Sequence, residues 1–340
     1  MESFEVVIIG AGPAGLSAAK KLAEAGKKVL LLEKNSVIGP KVCAGGFPSS
    51  VIGEFGLPKE LWDLETYEMT FHTPLQEKTF KLGGPFYTVD RARLGAWQLE
   101  KLKGTSVQVR TDAKVTKVEK DHVMINGSEK IPYEHLIGAD GANSVVRKYL
   151  GIKTENFSVA MQYIIPSDEY KKVEIYFDQR LISLGYVWIF PHKGYVSIGC
   201  GTEPRYYSTK KVAAGFEKWI KQNNIDTSKA KFEAFTINYD YRGHKFGNIY
   251  LAGDAAGLAA GLTGGGVYQA LVSGEEVSRS ICEKDYVSQR MPGVLKLNKK
   301  QNDALRFLEI TRPILGLEME LFMLIIRNKW LGEKFINKIM

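Results

Sequence analysis

A glycine-rich turn between an apolar run and a helix-forming segment constrains the fold more than any other feature of this sequence. The run Val6–Ile9 is apolar throughout, which is typical of a fully buried strand. Gly10, Gly12 and Gly15 follow with the spacing G-x-G-x-x-G, and a helical pattern comes directly after them. In such a turn the first glycine permits the tight bend, the second lets a pyrophosphate approach the backbone, and the third lets the helix pack on the strand. The segment therefore predicts a strand, turn and helix that hold a dinucleotide.

An acidic residue follows the next apolar strand and supports this interpretation. That strand is expected at Val29–Leu32, and Glu33 comes directly after it. A carboxylate about 20 residues beyond the glycines is where such proteins bind a ribose hydroxyl. The N-terminus of the preceding helix offers free N–H groups to the phosphates. A glycine turn without a ligand explains the glycines but not the strand, the helix and the acid together.

Composition narrows the class of protein only a little. The 340 residues suit two domains, or one large domain with an insertion. The net charge of +8 is compatible with an anionic cofactor, a membrane surface or nucleic acid, and we expect no nucleic-acid partner. The three cysteines, Cys43, Cys200 and Cys282, lack metal-ligand spacing, so we expect no metal site and a reducing, cytoplasmic location. Because the first strand begins within a few residues, we expect no signal peptide.

Two further turns combine glycine with an aspartate. Asp140 lies in Gly-x-Asp-Gly after an apolar strand, where it either faces a ligand at the sheet edge or caps the next helix. Asp254 ends another apolar strand and precedes a glycine-rich helix start at Gly264–Val267. A carboxylate there suits a polyol, and the helix N-terminus would stabilise negative charge.

Between these turns the pattern changes to short strands. Residues 107–118 and 123–125 predict a hairpin, with Asn126-Gly127 as a nearby turn. The stretch Phe157–Tyr241 predicts a mainly antiparallel sheet with one helix, Lys210–Gln222. Within it Tyr186, Trp188 and Phe190 alternate and so share one face of a strand. Periodicity alone favours an ordinary aromatic core face.

Three features stay open on the residues alone. Cys43 lies between a basic residue and glycines, and by itself a small buried hydrophobe is the simpler interpretation. Arg91 either binds a phosphate or flavin or is solvated. The apolar run Ile314–Ile326, followed by Trp330 and several basic residues, is shorter than the roughly 20 residues that span a bilayer. It suits an interfacial helix, a lid over a cavity, or a helix packed on the core.

Taken in order, the three glycine motifs resemble those of the para-hydroxybenzoate-hydroxylase-like flavoproteins, over roughly residues 1–290. Within that superfamily the chain resembles the geranylgeranyl reductase family of FAD-dependent oxidoreductases. The residues that carry this resemblance are Lys41-Val42-Cys43-Ala44-Gly45-Gly46, Val89-Asp90-Arg91, Tyr186-x-Trp188-x-Phe190-Pro191 and Gly253-Asp254-Ala255-Ala256-Gly257. The resemblance implies FAD as the cofactor.

The implied fold is α/β: a Rossmann-like FAD-binding domain, an inserted, mainly antiparallel β-sheet substrate domain and a helical C-terminal tail. We expect the FAD-binding domain in residues 1–66, 86–156 and 242–290. The substrate domain is expected in 67–85 and 157–241, and the helical region in 291–340.

The resemblance also implies roles for individual residues. Cys43 is the implied catalytic residue, as proton donor or positioning group. The implied FAD-binding residues are Gly10, Gly12, Pro13, Ala14, Gly15, Glu33, Lys34, Cys43, Ala44, Gly46, Arg91, Ala113, Asp140, Asp254, Gly265, Gly266 and Val267, with Glu33 on the adenosine ribose and Asp254 on the ribityl chain. The implied substrate cavity is lined by Tyr186, Trp188, Phe190 and Pro191. Where the family often has Asn-Pro-Leu-Thr-Gly-Glu-Gly-Ile, this chain has Ala260-Gly261-Leu262-Thr263-Gly264-Gly265-Gly266-Val267 and so lacks the proline and the glutamate.

The implied reaction is hydride transfer from reduced flavin to carbon–carbon double bonds of a polyprenyl, geranylgeranyl-type group. The electron donor, NAD(P)H or ferredoxin, is left undecided, because no separate nicotinamide-binding unit is evident. Alternatives are an FAD monooxygenase of an aromatic or polyketide substrate, a flavoprotein electron carrier to quinone, and a lipid-binding protein with a vestigial flavin site. The implied partners are an apolar isoprenoid substrate, a redox protein, and a membrane surface contacted peripherally.

Overall fold

The computed structural model describes residues 4–205 and 207–326, which form two compact units. The first unit contains the chain up to Pro40, Ala92–Phe157 and Thr236–Ala304. The second contains Lys41–Arg91, Ser158–Phe235 and the chain from Leu305.

The first unit is built on a six-stranded sheet. Its strands, in spatial order, are β16 (Lys245–Phe246), β17 (Ile249–Leu251), β10 (His135–Gly138), β1 (Val6–Ile9), β2 (Val29–Leu32) and β6 (Val107–Arg110). All neighbours pair in parallel except β16 and β17. Strands β1, β2 and β17 are buried along their whole length, as their apolar sequences require in a parallel sheet.

Helices complete this unit. They are α1 (Pro13–Glu24), α3 (Arg91–Glu100), α4 (Val145–Tyr149), α7 (Val267–Cys282) and the first part of α8 (Met291–Ile310). Helices α1 and α7 pack closely at a glycine, because a Cβ at Gly274 would lie 2.3 Å from Ala14 O. The core between them and the sheet includes Ile8, Leu16 and Val277.

One sequence expectation was only partly correct in this unit: residues 115–118 and 123–125 form the predicted hairpin, but residues 107–110 do not belong to it. Residues 107–118 do not form one arm of a hairpin: β6 pairs in parallel with β2. A separate antiparallel sheet follows, made of β7 (Val115–Val118), β8 (His122–Ile125) and β9 (Glu129–Pro132). The chain breaks between β6 and β7 at Asp112, whose φ is +51°, so the two strands cannot continue as one. The Asn126-Gly127 turn joins β8 to β9.

The second unit is built on an eight-stranded sheet. Its strands, in spatial order, are β15 (Lys231–Asn238), β11 (Phe157–Pro166), β14 (Tyr195–Thr202), β13 (Gly185–Pro191), β12 (Glu174–Tyr176), β4 (Trp62–His72), β5 (Glu77–Val89) and β3 (Gly46–Pro48). Strands β12 and β4 pair in parallel, and the pairs β11–β14, β13–β14, β12–β13, β4–β5 and β3–β5 are antiparallel. The mainly antiparallel sheet expected from the sequence is therefore present.

One face of this sheet packs against α6 (Thr209–Gln222), with α5 (Gln179–Ile182) beside it. Val187 and Ile189 of β13 point into this core with Phe216 of α6. Since neighbouring residues of a strand point to opposite faces, Tyr186, Trp188 and Phe190 lie on the other face. A short helix, α2 (Ser49–Phe55), follows β3.

Helix α9 (Leu315–Ile326) packs on the β4–β5 hairpin of the same unit. Its Met323 and Ile326 are buried against Phe80. The Glu320 carboxylate accepts hydrogen bonds from Thr73 Oγ1 at 2.8 Å, Gln76 Nε2 at 2.8 Å and Leu75 N–H at 3.2 Å. The interpretation of Ile314–Ile326 as a helix packed on the core therefore holds for one face of α9. Other large side chains of α9 are exposed: Leu317, Leu321, Leu324 and Ile325.

Trp330 and the basic residues beyond Ile326 lie outside the described residues. Within the described ranges, no helix combines the length and apolar character that crossing a membrane requires.

The two units divide the chain differently from the expected domains. Residues 41–66 and 86–91 lie in the second unit, because β3, β4 and β5 pair within the eight-stranded sheet. Strands β4 and β5, on either side of Thr73-Pro74, extend from Trp62 to Val89. Residues 291–304 of the expected C-terminal region lie in the first unit.

Candidate functional site

In the first unit the glycine turn joins β1 to α1 as the sequence predicts. Gly10 has φ +99°, and a Cβ there would lie 2.4 Å from Ala139 O. A Cβ at Gly15 would lie 1.9 Å from Gly10 O. Both positions therefore need glycine for the turn itself to form.

Gly12 is different, because a Cβ there would meet no atom within 4 Å. It is the N-cap of α1, no side chain caps the helix, and Pro13 occupies the first position. The first turn contains no acidic residue. Uncapped N–H groups that border open space form an anion site, so this helix start fits a phosphate.

The carboxylate of Glu33 is fixed beside this turn. Its Oε2 accepts a hydrogen bond from Ala11 N–H at 2.9 Å, and its Oε1 accepts one from Asn35 N–H at 3.0 Å. Ala113 N–H donates to Glu33 O at 2.9 Å, which brings Ala113 to the same place. Each carboxylate oxygen can accept more than one hydrogen bond, so a ribose hydroxyl still fits. Lys34 is exposed next to it.

Asp140 caps α4 and also keeps an unused acceptor. Its Oδ2 accepts a hydrogen bond from Val145 N–H at 2.7 Å. Its Oδ1 is buried and has no partner among the described residues. Burial raises the pKa of this carboxyl above its ordinary value, although hydrogen bonds from the start of α4 act in the opposite direction. The capping interpretation is confirmed, and contact with FAD stays a prediction.

Asp254 lies in a tight turn before α7. Gly253 has φ +58°, and its N–H donates to Ser273 Oγ at 2.9 Å. A Cβ at Gly266, the N-cap of α7, would lie 3.3 Å from Asp254 Oδ1. No side chain in the described part of the chain caps α7, so the helix start formed with Gly265 and Val267 offers its N–H groups beside a carboxylate.

In the second unit a loop presents Cys43. Its thiol is half-buried, and Gly45 N–H points to Sγ at 3.4 Å. Gly45 O accepts a hydrogen bond from Val89 N–H at 2.8 Å. Ala44 O lies 2.9 Å from His192 Nε2. The loop is therefore held at two successive carbonyl groups.

The aromatic face of β13 lies in the same unit. Tyr186 and Trp188 form an edge-on pair at 6.2 Å between ring centroids, and Phe190 forms another with Phe86 at 5.6 Å. Burial, with a smaller contribution from Cys43, raises the pKa of Tyr186 to about 12, so the phenol is neutral. A Cβ at Gly46 would lie 2.5 Å from the ring of Phe190. The Cys43 loop and the aromatic strand are thus neighbours, and Pro191 ends this strand.

Arg91 is buried at the end of the same unit. Its Nε has no hydrogen-bond partner among the described residues, although burying an unpaired donor of a charged group is costly. The preceding Asp90 accepts a hydrogen bond from Tyr195 OH at 2.9 Å. An anionic ligand would satisfy the Arg91 donor.

Sequence reasoning missed two groups of residues. Trp188 Nε1 donates to Ser197 Oγ at 2.9 Å, and Ser197 Oγ donates to Gln162 Oε1 at 3.0 Å. His192 pairs with Asp63 at 2.8 Å. Neither group has a sequence signal, because single polar residues in apolar strands show no periodicity.

Uncapped helix starts and fixed carboxylates in the first unit therefore fit the phosphates and hydroxyl groups of FAD. Among the described residues no group of three or more His, Cys, Asp or Glu side chains could hold a metal ion.

Comparison with known proteins agrees with this fit. Residues 4–174 match the family described as pyridine nucleotide-disulphide oxidoreductase, and residues 90–271 match the family described as FAD binding domain. The chain is 28% identical over 328 residues to digeranylgeranylglycerophospholipid reductase 1 of Methanosphaera stadtmanae, with 86% of this chain and 79% of the relative covered. The chain belongs to the geranylgeranyl reductase family of FAD-dependent oxidoreductases.

Other members and solved structures are consistent with this family. An uncharacterized protein of Methanosarcina barkeri is 30% identical over 83% of this chain and 76% of its own length. The chloroplastic geranylgeranyl diphosphate reductase of Oryza sativa is 28% identical over 82% of this chain and 66% of its own. A geranylgeranyl bacteriochlorophyll reductase-like structure from Thermoplasma acidophilum matches with a TM-score of 0.77 and 22% identity, covering 93% of this chain and 88% of that one. At that identity the last likeness shows the fold alone.

The predicted fold class and the predicted cofactor, FAD, are confirmed. This member of the family is an oxidoreductase.

Proposed function

We propose that this reductase-family member adds hydrogen to carbon–carbon double bonds of a geranylgeranyl-type group. The observation that carries the proposal is the aromatic face of β13 packed against the loop that holds the half-buried Cys43. A polyprenyl chain is apolar and carries isolated alkenes, and such a face suits it by exclusion of water. The relatives in archaea and plants are named for reductases of geranylgeranyl compounds, which supports the same substrate class.

When bound and reduced, FAD supplies the hydride. The chain would hold the cofactor: Gly12 would leave room for the phosphates, Glu33 would accept from the ribose, and Asp254 would accept from the ribityl chain. Arg91 offers its buried donor to an anionic group.

Cys43 supplies the proton in this proposal. An isolated alkene is a poor hydride acceptor, so a proton must reach the second carbon as the hydride reaches the first. A thiol carries an S–H group that can donate a proton. Burial raises the pKa of Tyr186 and keeps its phenol neutral, so it adds no charge to the aromatic face. Each alkene then gains one hydride and one proton.

The first experiment tests the reaction itself. The purified holoenzyme is reduced anaerobically and given a geranylgeranyl-bearing lipid, and the product mass is followed. A gain of two hydrogens per double bond supports the proposal. An unchanged lipid with the flavin still reduced contradicts it, and assays with quinone, or with oxygen and aromatic compounds, then separate the electron carrier from the monooxygenase. Parallel turnover with NADPH and with reduced ferredoxin identifies the donor.

The second experiment tests Cys43. We expect Cys43→Ala to lower kcat by roughly 10²-fold to 10⁴-fold, the usual contribution of a general acid, and to leave FAD bound. Cys43→Ser is expected to retain part of the activity, because a hydroxyl can donate a proton less readily. The matched control is Cys282→Ser, at the far end of α7. Full activity in both Cys43 variants would remove this residue from the mechanism.

A further inference from the structure

A buried histidine–aspartate pair in the second unit has no role in the proposed reaction. His192 follows β13, and Asp63 lies in β4. His192 Nδ1 is 2.8 Å from Asp63 Oδ2, and the two side chains are 2% and 1% exposed. A buried ion-pairing group is costly unless its hydrogen bonds are satisfied, so the partners of this pair matter.

Asp63 reaches this position through an irregularity in its strand. In the β4–β5 pairing, Trp62 faces Val89 and Leu64 faces Thr88, so Asp63 has no opposite residue. A β-bulge of this kind redirects the side chain of the extra residue. The backbone is thus arranged to turn a carboxylate inward.

The other nitrogen of His192 contacts the cysteine loop. Nε2 lies 2.9 Å from Ala44 O, and because a carbonyl oxygen only accepts, Nε2 must carry a proton. Nδ1 then faces Asp63 either as a second donor or as an acceptor from a protonated carboxyl. In both states the pair orients the imidazole toward Ala44.

Packing leaves the imidazole no freedom to turn away. It stacks on Tyr195 at 4.4 Å with an interplanar angle of 7°, and Tyr195 OH is anchored on Asp90. On the loop side, a Cβ at Gly45 would lie 2.6 Å from His192 Cε1. Gly45, with φ +78°, therefore gives the ring the space to reach the Ala44 carbonyl.

We propose that Asp63 and His192 are positioning residues that set the place of the Cys43 thiol. Ala44 is the next residue after Cys43, and Gly45 N–H points to its Sγ. Ala44 O and Gly45 N–H belong to the same peptide group. The hydrogen bond from His192 to Ala44 O therefore fixes the N–H that points to the Cys43 thiol. The chemical use of this thiol rests on the proposed function, whereas its position is testable without substrate.

The variants separate geometry from charge. Asp63→Asn keeps the network, because the Asn amide can donate to Nδ1 while Nε2–H still donates to Ala44 O. Asp63→Leu and His192→Leu remove it. The matched control is His72→Gln in the same sheet, since His72 Nε2 also lies 2.9 Å from a carboxylate, that of Glu174, and its ring stacks on Tyr176 at 4.0 Å.

The measurement is the rate at which iodoacetamide alkylates Cys43 in the holoenzyme, followed on its own peptide by mass spectrometry and well below the lowest Tm. We expect Asp63→Leu and His192→Leu to raise this alkylation rate about fivefold or more, because the half-buried thiol becomes more exposed. About fivefold is the change in an equilibrium constant that corresponds to the loss of one net hydrogen bond. Asp63→Asn should stay within about twofold of wild type by the same measure. His72→Gln should change nothing.

An unchanged rate in His192→Leu would overturn the proposal, and so would equal rates in Asp63→Asn and Asp63→Leu. Where His192→Leu fails to fold, the two Asp63 variants decide alone. In turnover, the positioning role lowers kcat with KM of the lipid unchanged, and Asp63→Asn restores kcat. If Cys43→Ala keeps full activity, the chemical role of the thiol fails, and the alkylation rates still decide its positioning.

Discussion

At the scale of single residues, glycine is needed at positions 12 and 15 of one motif for different physical reasons. A Cβ at Gly15 would collide with Gly10 O, so this position serves the fold. A Cβ at Gly12 meets nothing, and its φ of −77° is accessible to alanine. The fold itself therefore does not require glycine at position 12, and we attribute the free space there to the approach of the cofactor phosphates.

This difference predicts opposite phenotypes for two alanine variants. Gly12→Ala should leave the Tm of the FAD-free protein unchanged and weaken FAD binding by roughly tenfold or more, because a methyl group blocks the phosphate from the N–H groups. Gly15→Ala should lower Tm sharply or abolish soluble expression. Thermal unfolding without FAD and fluorescence titration with FAD measure the two effects. A Gly12→Ala protein that binds FAD as wild type does would place the phosphates elsewhere.

At the scale of elements, a chain of polar side chains joins four strands of the eight-stranded sheet. It runs from Trp188 of β13 through Ser197 of β14 to Gln162 of β11, and Gln162 Nε2 donates to Glu233 Oε2 at 2.9 Å. Trp188, Ser197 and Gln162 are all buried. Opposite Trp188, a Cβ at Gly199 would lie 2.3 Å from the indole. The ring therefore packs directly on the Gly199 backbone, and its N–H donates to Ser197. The orientation of the aromatic face therefore depends on its neighbouring strands.

Ser197→Ala should cost about 1–3 kcal/mol of unfolding free energy, because it leaves the buried Trp188 Nε1–H and Gln162 Oε1 without their partner. Urea unfolding followed by tryptophan fluorescence measures the loss. Adding Trp188→Phe should cost less in the Ser197→Ala background than in wild type, since the unsatisfied donor is then absent. Strict additivity of the two substitutions would contradict the coupling.

At the scale of the whole molecule, one buried ion pair joins distant segments of the first unit. Arg147 is 1% exposed, and its Nη2 donates to Asp240 O at 2.7 Å. The Asp240 carboxylate accepts from Glu155 N–H at 3.0 Å and Asn156 Nδ2 at 2.9 Å. Burial alone would raise the pKa of Asp240, but these hydrogen bonds and Arg242 lower it below its ordinary value.

A lowered folded pKa means that this carboxylate stabilises the protein above its unfolded pKa of about 3.9 and loses that contribution as pH falls through the folded value. Asp240→Asn should therefore cost about 3–5 kcal/mol near pH 6, as expected when a buried pair loses one partner. The difference from wild type should shrink at pH 3. Urea unfolding at the two pH values measures it.

The control for Asp240 is Asp121→Asn. Asp121 lies 2.7 Å from His122 Nδ1 but its side chain is 85% exposed, so the cost should stay within about 1 kcal/mol. An Asp240→Asn cost that is the same at pH 6 and pH 3 would show that the charge of the carboxylate is not what stabilises the unit.

The amino-acid sequence by itself determined the features that depend on neighbours along the chain. The strand, glycine turn and helix at Val6–Glu24 and the acid at Glu33 are local patterns, and they were sufficient to predict a dinucleotide-binding unit. FAD and the family followed from the resemblance of the ordered motifs to a known family. Helix α6 was also predicted to within one residue. Local sterics and hydrophobic periodicity are properties of short segments, so a sequence shows them directly.

Only the tertiary structure decided which distant residues meet. Asp63 and His192 are 129 positions apart, and nothing in either segment indicates the other. The same holds for β6, whose alternating pattern suits a hairpin as well as the parallel partner it has, and for Ser197 beneath Trp188. Strand order and bulges select these pairs through packing and hydrogen bonds over the whole unit, so they belong to the folded molecule and not to any stretch of its sequence.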